Sequence, residues 1–336
     1  MIQVSRYVKE NYYDESLSDK ELEEIMIEGM LNNLPDNYST YLNSKDAKEH
    51  KDNFKGMKTG IGISIVGNKI GYVLENSPAS KHGLKKGDIL TSINGINVLD
   101  MEDKKFQENL VKIYDSIDKN ETNKIIVKRG DKTINYDIKK ENYKTKIVEY
   151  KMLTDDIGLL KINIFSEAMK EDFNKAMELF KSKNAKGLII DLRYNPGGEK
   201  DAVHYVADAL MKNVVVGKIN YAGTYEDEIL ETDSNALDIP MAVLTNEFSA
   251  SSSEVLAGSI VANKKGVTIG TNTYGKGTVL GGVNFEDGTS MILSVGEIVL
   301  SNGNKLEGIG VKPYIEEDDE SKQIDLAIDY LNSRIK

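Results

Sequence analysis

Four of the five positions from Ser249 to Ser253, in "TNEFSASSSEVLAGS", are serine, and they stand just ahead of an apolar run that reads as a helix. A serine hydroxyl becomes a useful nucleophile only when a base takes its proton. The three histidines, His50, His82 and His204, are all distant in sequence from this run. A lysine can serve instead if burial depresses its pKa. Lys276, between Gly275 and Gly277 in "NTYGKGTVL", sits in an otherwise apolar and aromatic segment and is free to thread inward. Such a pair would carry out acyl transfer, which also needs N–H donors where oxyanion charge develops. "DLRYNPGG" supplies unhindered N–H groups at Gly197 and Gly198, and a serine at a helix start adds donors from its own turn. Alone, each loop has an ordinary reading: a polar helix cap, a lysine in a glycine turn, a strand-to-helix connection.

Composition narrows the alternatives. With 336 residues, 40% of them hydrophobic, the chain is long enough for two or three domains with their own cores. A formal net charge of −11 argues against nucleic acid as the main partner, because phosphate contacts require clustered Lys and Arg. The absence of cysteine removes disulfides, thiolate ligands and cysteine nucleophiles. His50 lies in a charged stretch, His82 in a turn and His204 on an amphipathic helix, so a histidine-based metal site is not expected and no cofactor is implied. There is no apolar run of 18 residues, and the first residues lack the pattern of a signal peptide, so the chain is expected to be neither membrane-spanning nor visibly targeted.

The elements that must position these loops are legible in outline. Residues 1–55 read as a small helical N-terminal domain, with helical spacing in "DKELEEIMIEGMLNNL" and a capping box from Ser18 to Glu21. Residues 56–142 change to short strands punctuated by glycine, with a tight turn at Asn94-Gly95 and a hairpin turning at Arg129–Asp131. Residues 143–336 alternate strand and helix: "IGLLKINIF", a helix capped by Ser166, "GLIIDLRYNPGG", "DAVHYVADALM", "PMAVLTN" and "SSSEVLAGSIVAN". Turns at Glu286–Gly288 and Ser301–Gly303 then add antiparallel strands, and "QIDLAIDYLNSRI" closes the chain as a helix. The fold class expected is α/β, in an α+β multidomain arrangement with a mixed sheet in the core.

Two resemblances sharpen this. "GIGI" at Gly60–Ile63, "SPASKHGLKKGDIL" and "INGINV" resemble a PDZ domain. The resemblance implies that Gly60, Ile61, Gly62 and Ile63 offer backbone N–H groups to a peptide's terminal carboxylate, with the next strand accepting the peptide as an added strand. "DLRYNPGG", "SASSSE" and "YGKG", in that order after a helical region and an inserted PDZ domain, resemble the C-terminal processing peptidases, or tail-specific proteases, which use a Ser/Lys pair on a core similar to the crotonase and ClpP-like fold. "PDNYSTYL" and "EGIGVKPYI" extend the likeness over nearly the whole chain. It implies Ser251 as nucleophile, Lys276 as base, and an oxyanion hole from the N–H of Ser252 with that of Gly197 or Gly198. Ser249 and Ser253 would be capping or structural, and Glu254 would pack or hydrogen-bond on the first helical turn. Leu280 departs from the family, which carries a glutamine there that helps hold the lysine.

A serine endopeptidase that recognises the free C-terminal region of protein substrates through its PDZ domain is therefore the first expectation. It implies action outside the cytoplasm, in the cell envelope, and leaves homo-oligomerisation and a membrane tether open. The alternative is a PDZ-bearing peptide-binding or scaffold protein on a weakened peptidase core, favoured by Leu280. A Ser/His/Asp hydrolase using His204 is the remaining reading, disfavoured because no "GxSxG" elbow is present.

Overall fold

The computed structural model describes residues 2–14, 16–31, 33–98, 103–223 and 225–335. The chain divides into two compact units, residues 51–147 and the pairing of 1–50 with 148–336. The N-terminal helical segment thus shares a unit with the α/β core.

In the smaller unit, strands Ile63–Val66, Lys69–Val73, Ile89–Ile93, Thr122–Arg129 and Lys132–Lys139 form an antiparallel sheet in chain order, with Ile96–Asn97 pairing Ile89–Ile93. Asn94 and Gly95 both take positive φ, as a two-residue hairpin turn requires. The β-branched alternation buries Ile70, Leu90, Ile93, Ile125, Val127 and Ile138 in one core. Gly60 ends a short strand, Met57–Gly60, and Ile63 begins the edge strand of the sheet. Gly62 must be glycine, since a Cβ there would lie 2.2 Å from the Ser77 Cβ.

In the larger unit the helices Ile2–Asn11 and Asp19–Leu31 come first. Ser18 and Glu21 form the expected reciprocal cap on the second, with Ser18 N donating to Glu21 Oε2 at 2.8 Å and Glu21 N to Ser18 Oγ at 3.2 Å. The core elements follow in chain order: β1 (Thr40–Leu42), β2 (Val148–Met152), β3 (Ile157–Ile162), α1 (Lys170–Ser182), β4 (Gly187–Asp191), α2 (Lys200–Leu210), β5 (Val215–Tyr221) and β6 (Glu228–Glu231). Next come β7 (Met241–Thr245), α3 (Ser252–Ala262), β8 (Gly266–Gly270), β9 (Thr278–Asn284), β10 (Ser290–Leu300), β11 (Ile315–Glu316) and α4 (Glu320–Asn332). One mixed sheet runs β2-β3-β4-β7-β8-β11, antiparallel only between β2 and β3. Every residue of β4 and β7 is buried, as expected for parallel strands covered on both faces. A second, antiparallel sheet runs β1-β10-β5-β6, with β9 also on β10.

α4 lays Ala327 and Leu331 on Ile157, Ile189, Ala242, Leu244 and Ile269. α3 packs against strands of both sheets and is buried from Ser252 through Ile260, which explains why its sequence has little polar face. Ser166 stands at the start of a 3₁₀ turn leading into α1, but its hydroxyl caps nothing; Glu199 Oε2 accepts the Glu167 N–H instead, at 2.6 Å.

Candidate active site

The loop after β7 delivers the serine run to the start of α3, where Ser251 is the N-cap residue with φ 54° and ψ −116°. A non-glycine residue in this region stores strain and persists only when its surroundings hold it. Three of the four serines do the holding. Ser249 Oγ donates to Leu192 O, Ser253 Oγ to Asn195 O and Ser252 Oγ to Gly198 O, each at 2.9 Å, so all three stitch the serine run to "DLRYNPGG". Ala250 N adds a bond to Asn195 O at 3.0 Å. Ser251 is the one serine whose hydroxyl is not spent on that loop.

Asn195, wholly buried, shapes the facing loop by donating to Ile162 O at 2.8 Å and accepting the Gly197 N–H at 2.9 Å. The Gly197 N–H is therefore occupied. The N–H groups of Gly198 and Ser252 donate to no acceptor among the described residues. Gly197 lies so close to the serine run that a Cβ would sit 2.8 Å from Ser251 Cβ and 2.9 Å from Ser252 N. At Gly198, with φ 141°, a Cβ would meet Phe165 O at 1.9 Å.

Glu254 joins the serine and lysine loops. Its carboxylate, with no exposed surface, accepts from Ser251 N (2.7 Å), Lys276 N (2.8 Å), Gly275 N (2.7 Å) and Thr273 Oγ1 (2.6 Å). Burial pushes its pKa up, opposed by these four bonds. Glu307 steadies the other side of the lysine loop, accepting from Gly277 N at 2.9 Å and from Thr278 N and Oγ1 at 3.0 and 2.7 Å.

The half-buried Lys276 has its pKa lowered by burial, against the opposing pull of Glu307 and Glu254. Its Nζ lies 4.2 Å from the centre of the Tyr38 ring, and no hydrogen bond joins it to the Ser251 hydroxyl. Leu280 is on β9 opposite Ser294, partly exposed. Of the polar residues near it in sequence, Thr278 gives its hydroxyl to Glu307 and Tyr274 is largely exposed. His204 Nε2 bonds the Glu231 carbonyl oxygen at 2.7 Å, well away from the serine run in its bonding, which leaves the Ser/His/Asp reading without its base. Sequence reasoning missed Tyr38, Asn195, Thr273 and Glu307, whose importance arises from contacts with residues far along the chain.

In the smaller unit, Gly60–Ile63 leads into the edge strand Ile63–Val66, whose outer side faces no other strand among the described residues. The Ile65 N–H donates to the Tyr114 hydroxyl at 3.1 Å.

A mixed α/β core with a strained serine at a helix start, preceded by a PDZ-like unit, defines the class of molecule. Residues 156–317 match the model of peptidase family S41, and residues 69–106 match the PDZ domain model. Among curated proteins, the chain is similar to carboxy-terminal processing protease CtpB of Bacillus subtilis (strain 168), 31% identical over an alignment of 318 residues, with 91% of this chain and 65% of that protein covered. It is also similar to carboxy-terminal processing protease CtpA of the same organism, 29% identical over 92% of this chain and 66% of that protein. The chain thus spans just under two thirds of the length of these relatives. A solved structure titled photosystem II D1 C-terminal processing protease shares the fold, with a TM-score of 0.65 and 23% identity over 97% of this chain and 94% of that one.

Proposed function

We propose that the chain is a serine endopeptidase of the C-terminal processing type, with Ser251 as nucleophile and Lys276 as base. The observation that carries this is the Ser251 environment: a strained helix-start serine whose hydroxyl, unlike those of its three neighbours, is not spent on the glycine loop, flanked by the free N–H groups of Ser252 and Gly198, and tied by Glu254 to the backbone of a half-buried lysine. In the reaction, neutral Lys276 accepts the Ser251 proton as Oγ attacks the scissile carbonyl carbon. The oxyanion faces the Ser252 and Gly198 N–H groups, and the ammonium returns its proton to the departing amine. Water, deprotonated by the same lysine, then cleaves the ester and restores Ser251. Gly197 shapes the hole rather than donating to it, because its N–H is held by Asn195.

Substrates would be proteins whose free C-terminal region binds at Gly60–Ile63 of the PDZ unit, adding a strand to Ile63–Val66. Following the family likeness, the protein would work outside the cytoplasm. No described helix is long and apolar enough to cross a membrane. The test is cleavage of reduced, carboxymethylated casein by the wild type, Ser251→Ala and Lys276→Ala, with losses of at least about 10²-fold expected in both variants. Activity surviving both substitutions overturns the mechanism. A second reading, a peptide-binding protein on a weakened core, is favoured by the leucine at 280 and by the missing Ser251–Lys276 bond. It predicts a wild type that cleaves nothing yet binds free C-terminal peptides and not their amides.

A further inference from the structure

We propose that Tyr38 is a positioning residue for Lys276, its ring holding the lysine as an ammonium and off the Ser251 hydroxyl, so that the base must shed a proton and leave the ring together. The inference rests on the Ser/Lys reading of the site. A ring centre 4.2 Å from Nζ is well inside the range of about 6 Å over which a cation is drawn to an aromatic face. A neutral amine feels no such attraction, so departure from the ring and deprotonation are linked.

The ring is held from two sides. Asp36 Oδ1 accepts the N–H groups of Tyr38 and Ser39, at 2.8 and 2.7 Å, and the Ser294 hydroxyl at 2.9 Å. Ser39 Oγ in turn accepts Ser294 N at 3.1 Å, which fixes the turn to β10. At the far end the Tyr38 hydroxyl donates to Glu307 Oε1 at 3.3 Å, while Oε2 of the same carboxylate holds Gly277 and Thr278 beside the lysine. Ring and lysine loop therefore share one anchor. Burial, with Glu307 next, pushes the Tyr38 pKa up to about 12, so the phenol stays neutral at working pH. The charged groups acting on Lys276 are Glu254 on α3 and Glu307 beyond β10; both favour the ammonium, as the ring does, and burial opposes them.

Two readouts test this across pH in the full chain. Competitive acetylation with peptide mass spectrometry gives the titration of Lys276, and labelling by a fluorophosphonate probe gives the reactivity of Ser251. In Tyr38→Leu the lysine titration is expected to move down by about half a unit, a threefold loss of proton affinity, with the labelling profile following it. Tyr38→Phe, which keeps the ring, is expected to titrate as the wild type. An unchanged or raised titration in Tyr38→Leu overturns the proposal, as does a Phe variant that shifts as far as Leu. A lowered titration that labelling does not follow supports the ring contact and overturns Lys276 as the base. Should Tyr38→Leu fail to fold, Tyr38→Trp is expected to raise the titration, and no rise overturns the proposal.

Discussion

Glu254 takes four donors with two oxygens, and this gives it more influence on the site than its place on a helical first turn suggests. Glu254→Gln replaces one acceptor oxygen with an NH₂ facing backbone N–H groups. Each buried donor left without a partner costs about 1–3 kcal/mol. The variant is expected to unfold at lower temperature and to lose most fluorophosphonate labelling of Ser251, both readable on one preparation. The lowered pKa of Lys276 also has a sign. The free amine becomes abundant at a pH below the ordinary lysine range near 10.4, so labelling should rise with pH along a limb that starts below that range and vanishes in Lys276→Ala. The family motifs in the sequence pointed to Ser251, Lys276 and the glycine loop. Tyr38 and Glu307 were not legible, because nothing local to "NYS" or "LEG" says that the two side chains meet across 269 positions.

The elements argue for themselves where periodicity and turn chemistry agree. The Ser18–Glu21 cap, the Asn94-Gly95 turn and the fully buried, largely apolar β4 and β7 could all be foreseen from local sequence, since each is decided by neighbours within a few residues. Ser166 shows the limit of that logic. Its position was right for a cap, yet Glu199, brought in by the chain beyond "NPGG", supplies the acceptor. Ser166→Ala removes a buried hydroxyl that bonds nothing, so its thermal stability should equal or slightly exceed the wild type, within about 0.5 kcal/mol. Gly197→Ala is expected to do the opposite. Its Cβ has no room beside Ser251 and Ser252 N, and φ 100° is strained for alanine, so labelling of Ser251 should be abolished along with some stability.

At the scale of the molecule, each unit has its own apolar core, with Ile70, Leu90 and Ile125 in one and Ile189, Leu244 and Leu331 in the other. Residues 51–147 expressed alone are therefore expected to unfold cooperatively on heating; a featureless transition would show that this unit needs the rest of the chain. The tie between the N-terminal segment and the core should respond to acid. Asp36 has its pKa lowered to about 2 by the N–H groups of Tyr38 and Ser39. A carboxylate held below its unfolded value stabilises the fold fully above about pH 4 and loses that effect as pH falls toward 2. The difference in melting temperature between the wild type and Asp36→Asn should then be constant near neutrality and close over that interval.

The same tie sets an order of events during synthesis. Asp36 leaves the ribosome 258 residues ahead of its partner Ser294, and Tyr38 269 residues ahead of Glu307. Strand β1 likewise waits for Thr40 to meet Ile292. A nascent chain that already carries Ser251 and Lys276 still lacks the carboxylate and the strand that seat the lysine. The seat of the lysine is thus completed only by residues that emerge after both the serine and the lysine loops have been made.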